Sequence, residues 1–417
     1  MDKTKPFIIP KGLVMEAYER VKANRGSAGV DQQSLEDFGK DLKDNLYKIW
    51  NRLSSGSYFP PAVKAVPIPK KSGGVRILGV PTVSDRTAQM VVKIMVEPEI
   101  EPSFHTDSYG YRPNKSAMDA IGVTRQRCWK YDWVLEFDIK GLFDNIDHEL
   151  LMKAVRKHTD NKWAILYIER WLKAPIQMED GTLVPRDKGT PQGGVVSPIL
   201  SNLFLHYAFD MWMQRNYPKS EWCRYADDGL VHCRTEREAQ EMLQELNKRF
   251  KECGLELHPE KTKIVYCKDG NRKREYSNTK FTFLGYEFRR RKAYNNKANK
   301  AFLNFSPAIS KEAGKAIRDK IWKTGIRKKT EWTIEHIAEV LNPMIRGWIE
   351  YYGHYNLWEV RSVLKYLDHT LMRWAKRKHK KLKGHKTRAY IFLERIQRAK
   401  PDLFVHWKIF SPKVRLI

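Results

Sequence analysis

The sequence predicts an α+β protein in which a strand-bearing body is followed by a helical, strongly basic region. Three observations lead there. Short apolar runs joined by turn residues, at Ala62 to Val80 and at Trp222 to Cys233, have the signature of hairpins. Apolar residues at helical spacing recur from residue 11 and dominate beyond residue 306. The charge is uneven: residues 1–290 hold 47 Lys and Arg against 39 Asp and Glu, whereas residues 291–417 hold 30 against 10. At 417 residues and 41% hydrophobic, the chain has material for roughly two to four domains with cores of their own.

Taken in order, residues 11 to 57 read as helical through Leu13, Ala17, Val21, Leu42 and Leu46, interrupted by the small-residue loop Asn24 to Gly29. The first hairpin turns at Lys70-Lys71-Ser72-Gly73-Gly74. Helical spacing returns after Asp85, and Trp133 to Asp138 reads as a short buried strand. Asp147 caps a helix whose Leu150, Leu151, Ala154 and Val155 share a face, and another helix follows Pro198. The second hairpin turns through Ala226-Asp227-Asp228-Gly229. Thr235 with Glu238 forms a capping box for a helix that stops near Gly254. The strand-bearing part is expected to end near residue 290. Beyond it, Val360, Val363, Leu364, Leu367, Leu371 and Trp374 outline one face of a helix.

Much is excluded. Neither a signal peptide nor an 18-residue apolar run is present, so the chain reads as soluble and intracellular, with no membrane partner. Five scattered cysteines form no C-x-x-C pair and fit reduced thiols. There is no P-loop and no dinucleotide-binding turn. A net charge of +28, with 13 Trp and 19 Tyr available for stacking, makes nucleic acid the leading partner and an anionic membrane the competitor.

Asp138 ends one predicted strand, and Asp227 and Asp228 sit at the turn of another. If a sheet brings them to one edge, they repel each other unless a cation lies between them, and oxygen-only donors favour Mg²⁺ or Mn²⁺. Either motif alone is ordinarily a solvated turn; the surrounding blocks change that reading.

Tyr225-Ala226-Asp227-Asp228 resembles the Y-x-D-D box of reverse transcriptases, and Phe137 to Asp144 (FDIKGLFD) resembles their first catalytic block. Gly189 to Pro198 (GTPQGGVVSP) is similar to the nucleotide-pocket block of the branch encoded by group II introns. Further blocks match in order: Asn24 to Asp31, Ser108 to Pro113 (SYGYRP), Leu257 to Thr262 (LHPEKT), Phe283 to Tyr286 (FLGY) and Met344 to Tyr352 (MIRGWIEYY). The resemblance implies a right-hand polymerase with fingers, a palm built on an antiparallel sheet, a helical thumb and a basic C-terminal segment. The domains it implies are 1–125 for the N-terminal extension and fingers, 126–295 for the palm with some fingers elements, 296–370 for the thumb or maturase domain, and 371–417 for DNA binding.

Residue roles follow from the same resemblance. Asp138, Asp227 and Asp228, with the Ile139 carbonyl, would hold two Mg²⁺ ions, with Mn²⁺ as a substitute. Phe143 would lie under the sugar and exclude a 2′-hydroxyl; by residue type alone it is equally an ordinary core Phe. Gln192, Arg76 and Lys70 would contact the incoming dNTP, although the last two also fit solvated hairpin charges. Lys261 would protonate the departing pyrophosphate, in a block where His258 replaces the family's usual Asn. Phe283, Leu284, Gly285 and Tyr286 would form the primer grip.

Nucleic-acid contacts are expected from Arg25, Arg346, Arg373, Lys376, Arg377, Lys378, Lys380 and Lys381. The aromatics of residues 300–370 are mostly expected between helices, and a basic run is usually a solvated face; following a polymerase, it has phosphate to bind. The expected partners are group II intron RNA, an RNA template with a DNA primer, target DNA and dNTPs, in the bacterial cytoplasm and associated with ribonucleoprotein or nucleoid. An H-N-H endonuclease is not expected before Ile417. Monomer and dimer both remain open. Besides a polymerase that is also a splicing maturase, two alternatives stand: a domesticated relative in DNA repair or phage defence, and an RNA-binding splicing cofactor with little polymerase activity.

Overall fold

The computed structural model describes residues 6–69, 73–295 and 299–410. They fall into two compact units, one comprising residues up to Ala120 together with Leu135–Ile264, the other Ile121–Val134 together with residues from Val265 onward. The architecture mixes helix and sheet as the sequence predicts.

The first unit opens with α1 (Lys11–Ala23), α2 (Leu35–Lys40) and α3 (Leu42–Ser55). The Asn24 to Gly29 loop separates α1 from α2, and Ser34 starts α2 by accepting the Asp37 amide. The first hairpin is β1 (Val63–Pro69) with β2 (Val75–Val80), antiparallel, with Ile68 opposite Arg76. The first three residues of its turn, Lys70 among them, lie outside the described residues. Next comes α4 (Val83–Ile100), capped by Thr82; α5 (Ala117–Lys130) begins in this unit, and its residues from Ile121 belong to the second.

The central strand is β3 (Trp133–Asp138), buried at five of its six positions. Short α6 (Leu142–Asn145), α7 (His148–His158), capped by Asp147 as expected, and α8 (Lys162–Lys173) follow. Two-residue strands β4 (Ile176–Gln177) and β5 (Leu183–Val184) extend the first sheet to the order β2-β1-β4-β5. The Gly-rich loop then leads into α9 (Ser197–Leu205), a π-helical turn over His206–Asp210, and α10 (Met211–Asn216).

The second hairpin, β6 (Trp222–Tyr225) with β7 (Asp228–Cys233), is antiparallel and closes through a two-residue turn. The capping box of α11 (Glu236–Glu252) is modified: Thr235 accepts the Glu238 amide, and the Glu238 carboxylate reaches back to the Arg234 amide. With β8 (Lys263–Tyr266), the sheet order is β6-β7-β3-β8.

In the second unit, β9 (Lys280–Phe283), β10 (Tyr286–Asn295) and β11 (Lys300–Ile309) form an antiparallel sheet. Strand structure therefore continues to Ile309, past the end near residue 290 that the sequence suggested. The reason is the run Arg289-Arg290-Arg291-Lys292 in β10, whose most buried member is Arg291. That residue is only 8% exposed and pairs with Glu359 at 2.7 Å, and the run disguises the period-2 pattern.

Four long helices follow: α12 (Lys311–Lys323), α13 (Ile334–Tyr352), α14 (Leu357–Lys378) and α15 (Lys386–Ala399), then short α16 (Val405–Phe410). The six apolar positions read for α14 are all buried. Ile317, Leu341, Leu367, Leu393 and Trp407 share one core, so residues on both sides of the 370/371 boundary, which falls inside α14, pack together. All five cysteines are buried thiols. Among the described residues, no helix is long and apolar enough to cross a membrane.

Candidate active site

Asp138 stands at the end of β3, where the strand meets a short bridge to Leu257. That bridge is made by Lys140 donating to the Glu256 carbonyl and His258 donating to the Asp138 carbonyl, both at 2.8 Å, so it leaves the Ile139 carbonyl outside the ladder. The Ile139 amide donates instead to the Asp227 carbonyl at 3.3 Å, tying the end of β3 to the β6–β7 turn. Ala226 adopts φ +56° there, an uncommon conformation for a residue with a side chain. Gly110 packs against this turn so closely that a Cβ would lie 2.4 Å from the Ala226 nitrogen.

The carboxylates feel one another. Burial, then Asp227 and Asp138, push the Asp228 acid up to about 8, partly through the hydrogen bond that Asp228 shares with Asp138. Burial also raises Asp227, with Asp138 adding to the shift and Lys261 and Arg76 opposing it. The Lys261 ammonium lies 2.8 Å from Asp138 Oδ2. Burial opposes its charge, but the hydrogen bond and the attraction of the three acids prevail and its pKa is raised. Among the described residues, no three acidic, His or Cys side chains form a ready-made metal cage. The donors present are nonetheless hard oxygens crowded enough to disfavour their own ionisation, which is the electrostatic condition a divalent cation relieves. These residues fit such an ion.

The pocket block lies against the same region. Thr190 donates to the Phe143 carbonyl and Gly189 to that of Ile146, each at 2.7 Å. Gly189 is at φ +77°, and any Cβ there would collide with the Phe143 carbonyl at 2.6 Å, which explains the glycine. Gln192 receives a hydrogen bond from Arg76 Nε, donates to the Asp144 carboxylate at 3.3 Å, and gives its carbonyl to the Gly79 amide at 2.8 Å. Arg76 and Gln192, far apart in sequence, thus meet. Phe143 is 9% exposed, and the Tyr111 ring stands edge-on to it with centroids 6.4 Å apart.

Sequence reasoning missed the supports. Arg224, fully buried in β6, donates twice to Asp210 at 2.7 and 2.8 Å and also to Ser108, Asn202 and the Ala226 carbonyl. A charge inside an otherwise apolar strand was the available signal. Asp85 accepts from Tyr58, Trp171 and Gln89, and Gln89 in turn accepts the Val195 amide at 2.7 Å, fixing the pocket loop. Tyr111, at φ +58°, was passed over inside its own block.

The remaining expected residues lie elsewhere. Leu284 and Gly285 form a left-handed turn between β9 and β10, and the Leu284 carbonyl accepts from Tyr351 at 2.9 Å; Phe283 and Tyr286 point into the core. Arg25, Arg346, Arg373, Arg377, Lys380 and Lys381 are exposed and Lys376 is half-buried. Lys378 spends its ammonium on the Thr330 and Trp332 carbonyls.

A sheet edge carrying three acids and an ammonium, beside a Gly-rich pocket with an arginine, defines a template-directed nucleic-acid polymerase. The comparisons make the class particular. A family model described as reverse transcriptase (RNA-dependent DNA polymerase) matches residues 68–288, and one for the group II intron maturase-specific domain matches residues 314–390. Protein YkfC of Escherichia coli (strain K12) is 31% identical over 308 residues, covering 64% of this chain and 76% of that protein. The group II intron-encoded protein LtrA of Lactococcus lactis subsp. cremoris is 26% identical, covering 90% and 74%. A Candida albicans telomerase structure aligns over 92% of this chain and 69% of its own at 12% identity and a TM-score of 0.47. The chain belongs to the reverse transcriptase family, as an intron-encoded enzyme with a maturase domain. It is an RNA-directed DNA polymerase that mixes helix and sheet, and the family depends on divalent metal.

Proposed function

We propose that this chain extends a DNA primer along an RNA template using dNTPs, and that it binds a group II intron RNA to assist splicing and mobility. The observation carrying the polymerase assignment is the meeting of Asp138, Asp227 and Asp228 with Lys261 at one sheet edge. The three carboxylates and the Ile139 carbonyl would hold two divalent ions, Mg²⁺ or Mn²⁺, which would neutralise charge and acidify the primer's 3′-hydroxyl. The primer 3′-hydroxyl gives its proton to solvent, and its oxygen forms a bond to the α-phosphorus as the bond to pyrophosphate breaks. Lys261 gives its proton to the leaving pyrophosphate. Arg76, oriented by Gln192, grips the triphosphate, and Phe143 closes the space that a 2′-hydroxyl would need.

Fingers and N-terminal extension over 1–125, palm over 126–295, thumb over 296–370 and a DNA-binding segment over 371–417 remain our assignment, with a cytoplasmic ribonucleoprotein as the setting. The intron role draws support from the maturase-domain match. The test is Asp227→Ala, assayed by primer extension on an RNA template with Mg²⁺ and by binding of a group II intron RNA. Extension should vanish while intron binding is retained; synthesis at the wild-type rate would overturn the assignment.

A further inference from the structure

A concentration of positive charge lies in the second unit, as a pocket rather than a flat face. Arg327, Lys328, Arg373, Lys376, Arg377 and Lys383 line a cavity of about 460 Å³, and no acidic side chain contributes to its wall. The cations come from three places in the chain: the single 3₁₀ turn Ile326–Lys328, the last turns of α14, and the loop ending in Gly384. Arg377 donates to the Arg327 carbonyl at 3.2 Å, joining the 3₁₀ turn to α14, and Gly384 at φ +82° turns the chain so that Lys383 completes the wall. Six like charges gathered without a counter-charge repel one another, and a polyanion removes that penalty.

A second feature adjoins the pocket. Trp322, near the end of α12, is 52% exposed, an unusual state for the largest apolar side chain. The Arg327 guanidinium lies over one face of its ring at 4.8 Å from the centroid. Arg327 and Arg373 line both the basic pocket and the narrow crevice beside Trp322. An indole backed by a guanidinium, with phosphate-sized cationic space next to it, matches the two halves of a nucleotide. A duplex cannot use both halves, because its bases are already stacked on one another.

We propose that this pocket and Trp322 form a binding site for an unpaired nucleotide within a single strand, its phosphodiester among the six cations and its base on the indole. The site lies apart from the candidate catalytic residues in sequence and serves to select single-stranded over duplex segments. The proposal rests on the nucleic-acid-binding function proposed above and adds the kind of segment recognised. Its chemistry is common to RNA and DNA.

The experiment uses the full chain and fluorescently labelled 12-nucleotide homopolymers of RNA and of DNA, each as a single strand, as a duplex, and as a strand of abasic sites. Trp322→Ala should weaken binding of either single strand by roughly tenfold, with Trp322→Phe close to wild type. Duplex and abasic ligands should not respond to either variant. Replacing Lys376 and Lys383 with Gln should weaken every ligand and reduce the salt slope by about two. Unequal RNA and DNA affinities, both sensitive to Trp322, support the site and identify its source. Equal losses on base-bearing and abasic strands, or no loss at all, would overturn it. Primer extension is run on each variant: its retention alongside unchanged strand selectivity rejects this site alone, whereas its absence from the wild type rejects the polymerase reading.

Discussion

Lys261 donates a 2.8 Å hydrogen bond to Asp138 across 123 residues of sequence. The ammonium balances part of the charge that three neighbouring carboxylates create and is held in its protonated form by them. It is therefore a structural counter-charge and, in the mechanism proposed above, the proton donor. Lys261→Ala should lower kcat for single-nucleotide addition by about 10²-fold, with a smaller change in the KM for dNTP. Lys261→Arg should keep the fold and the carboxylate geometry but recover little of the rate. Rapid-quench kinetics decide it, and an unchanged kcat in Lys261→Ala would remove the proton-donor role.

Phe143 is nearly buried, and Tyr111 braces it from the side. A left-handed tyrosine costs energy and persists only because its surroundings fix it. Here Gly110 packs on the catalytic turn and gives its carbonyl to Asn202 at 2.6 Å. Phe143→Ala should raise ribonucleotide incorporation relative to dNTPs by roughly tenfold or more. Tyr111→Ala should raise it less, because the ring that it frees stays in place. Competition assays with matched dNTP and rNTP check both; unaltered discrimination in Phe143→Ala would reduce that side chain to packing.

Asp85 is fully buried, and burial raises its acid to about 6 despite hydrogen bonds from Trp171, Tyr58 and Gln89. The unfolded chain ionises near 3.8, so between these values the folded state holds a proton that the unfolded state has lost. This contribution to stability is complete below about pH 3.8 and is lost as pH rises through about 6, amounting to about 3 kcal/mol. Asp85→Asn should flatten the dependence over that window. Urea titrations of both proteins at pH 4 to 7 measure the difference, and parallel curves would refute it.

The buried Arg224–Asp210 pair should show strong coupling. Removing one charge leaves the other without its partner in the interior, so Arg224→Leu should destabilise the protein by about 3–5 kcal/mol. Adding Asp210→Leu to that variant should restore part of the loss. Denaturant midpoints of the single and double variants test this, and simple additivity would contradict it.

The residues of the candidate site were legible because each block is short and contiguous. FDIKGLFD, YADD and GTPQGGVVSP carry their meaning in a few adjacent positions, and the hairpins and helix caps around them follow local rules. The supports were not legible. Asp85 and Trp171 are 86 residues apart, and Gln89 and Val195 are 106 apart, so nothing in either neighbourhood announces the contact. Arg224 belongs to the same class, since its five hydrogen bonds draw together three other segments and the adjoining turn. The late strands were missed for a different reason: the run Arg289-Arg290-Arg291-Lys292 in β10 reads as solvated charge, and Glu359, the partner that lets Arg291 be buried, lies 68 residues away.

The burial of every thiol has a practical consequence. Burial raises the acids of Cys233 and Cys253, which leaves less of the reactive thiolate at neutral pH. Cysteines introduced at exposed Lys43 and Glu339, one in each unit, would thus be the fast-reacting pair for maleimide dyes in the otherwise native chain. Energy transfer between two such labels would report, molecule by molecule, whether the units change their separation as template, primer and nucleotide are added.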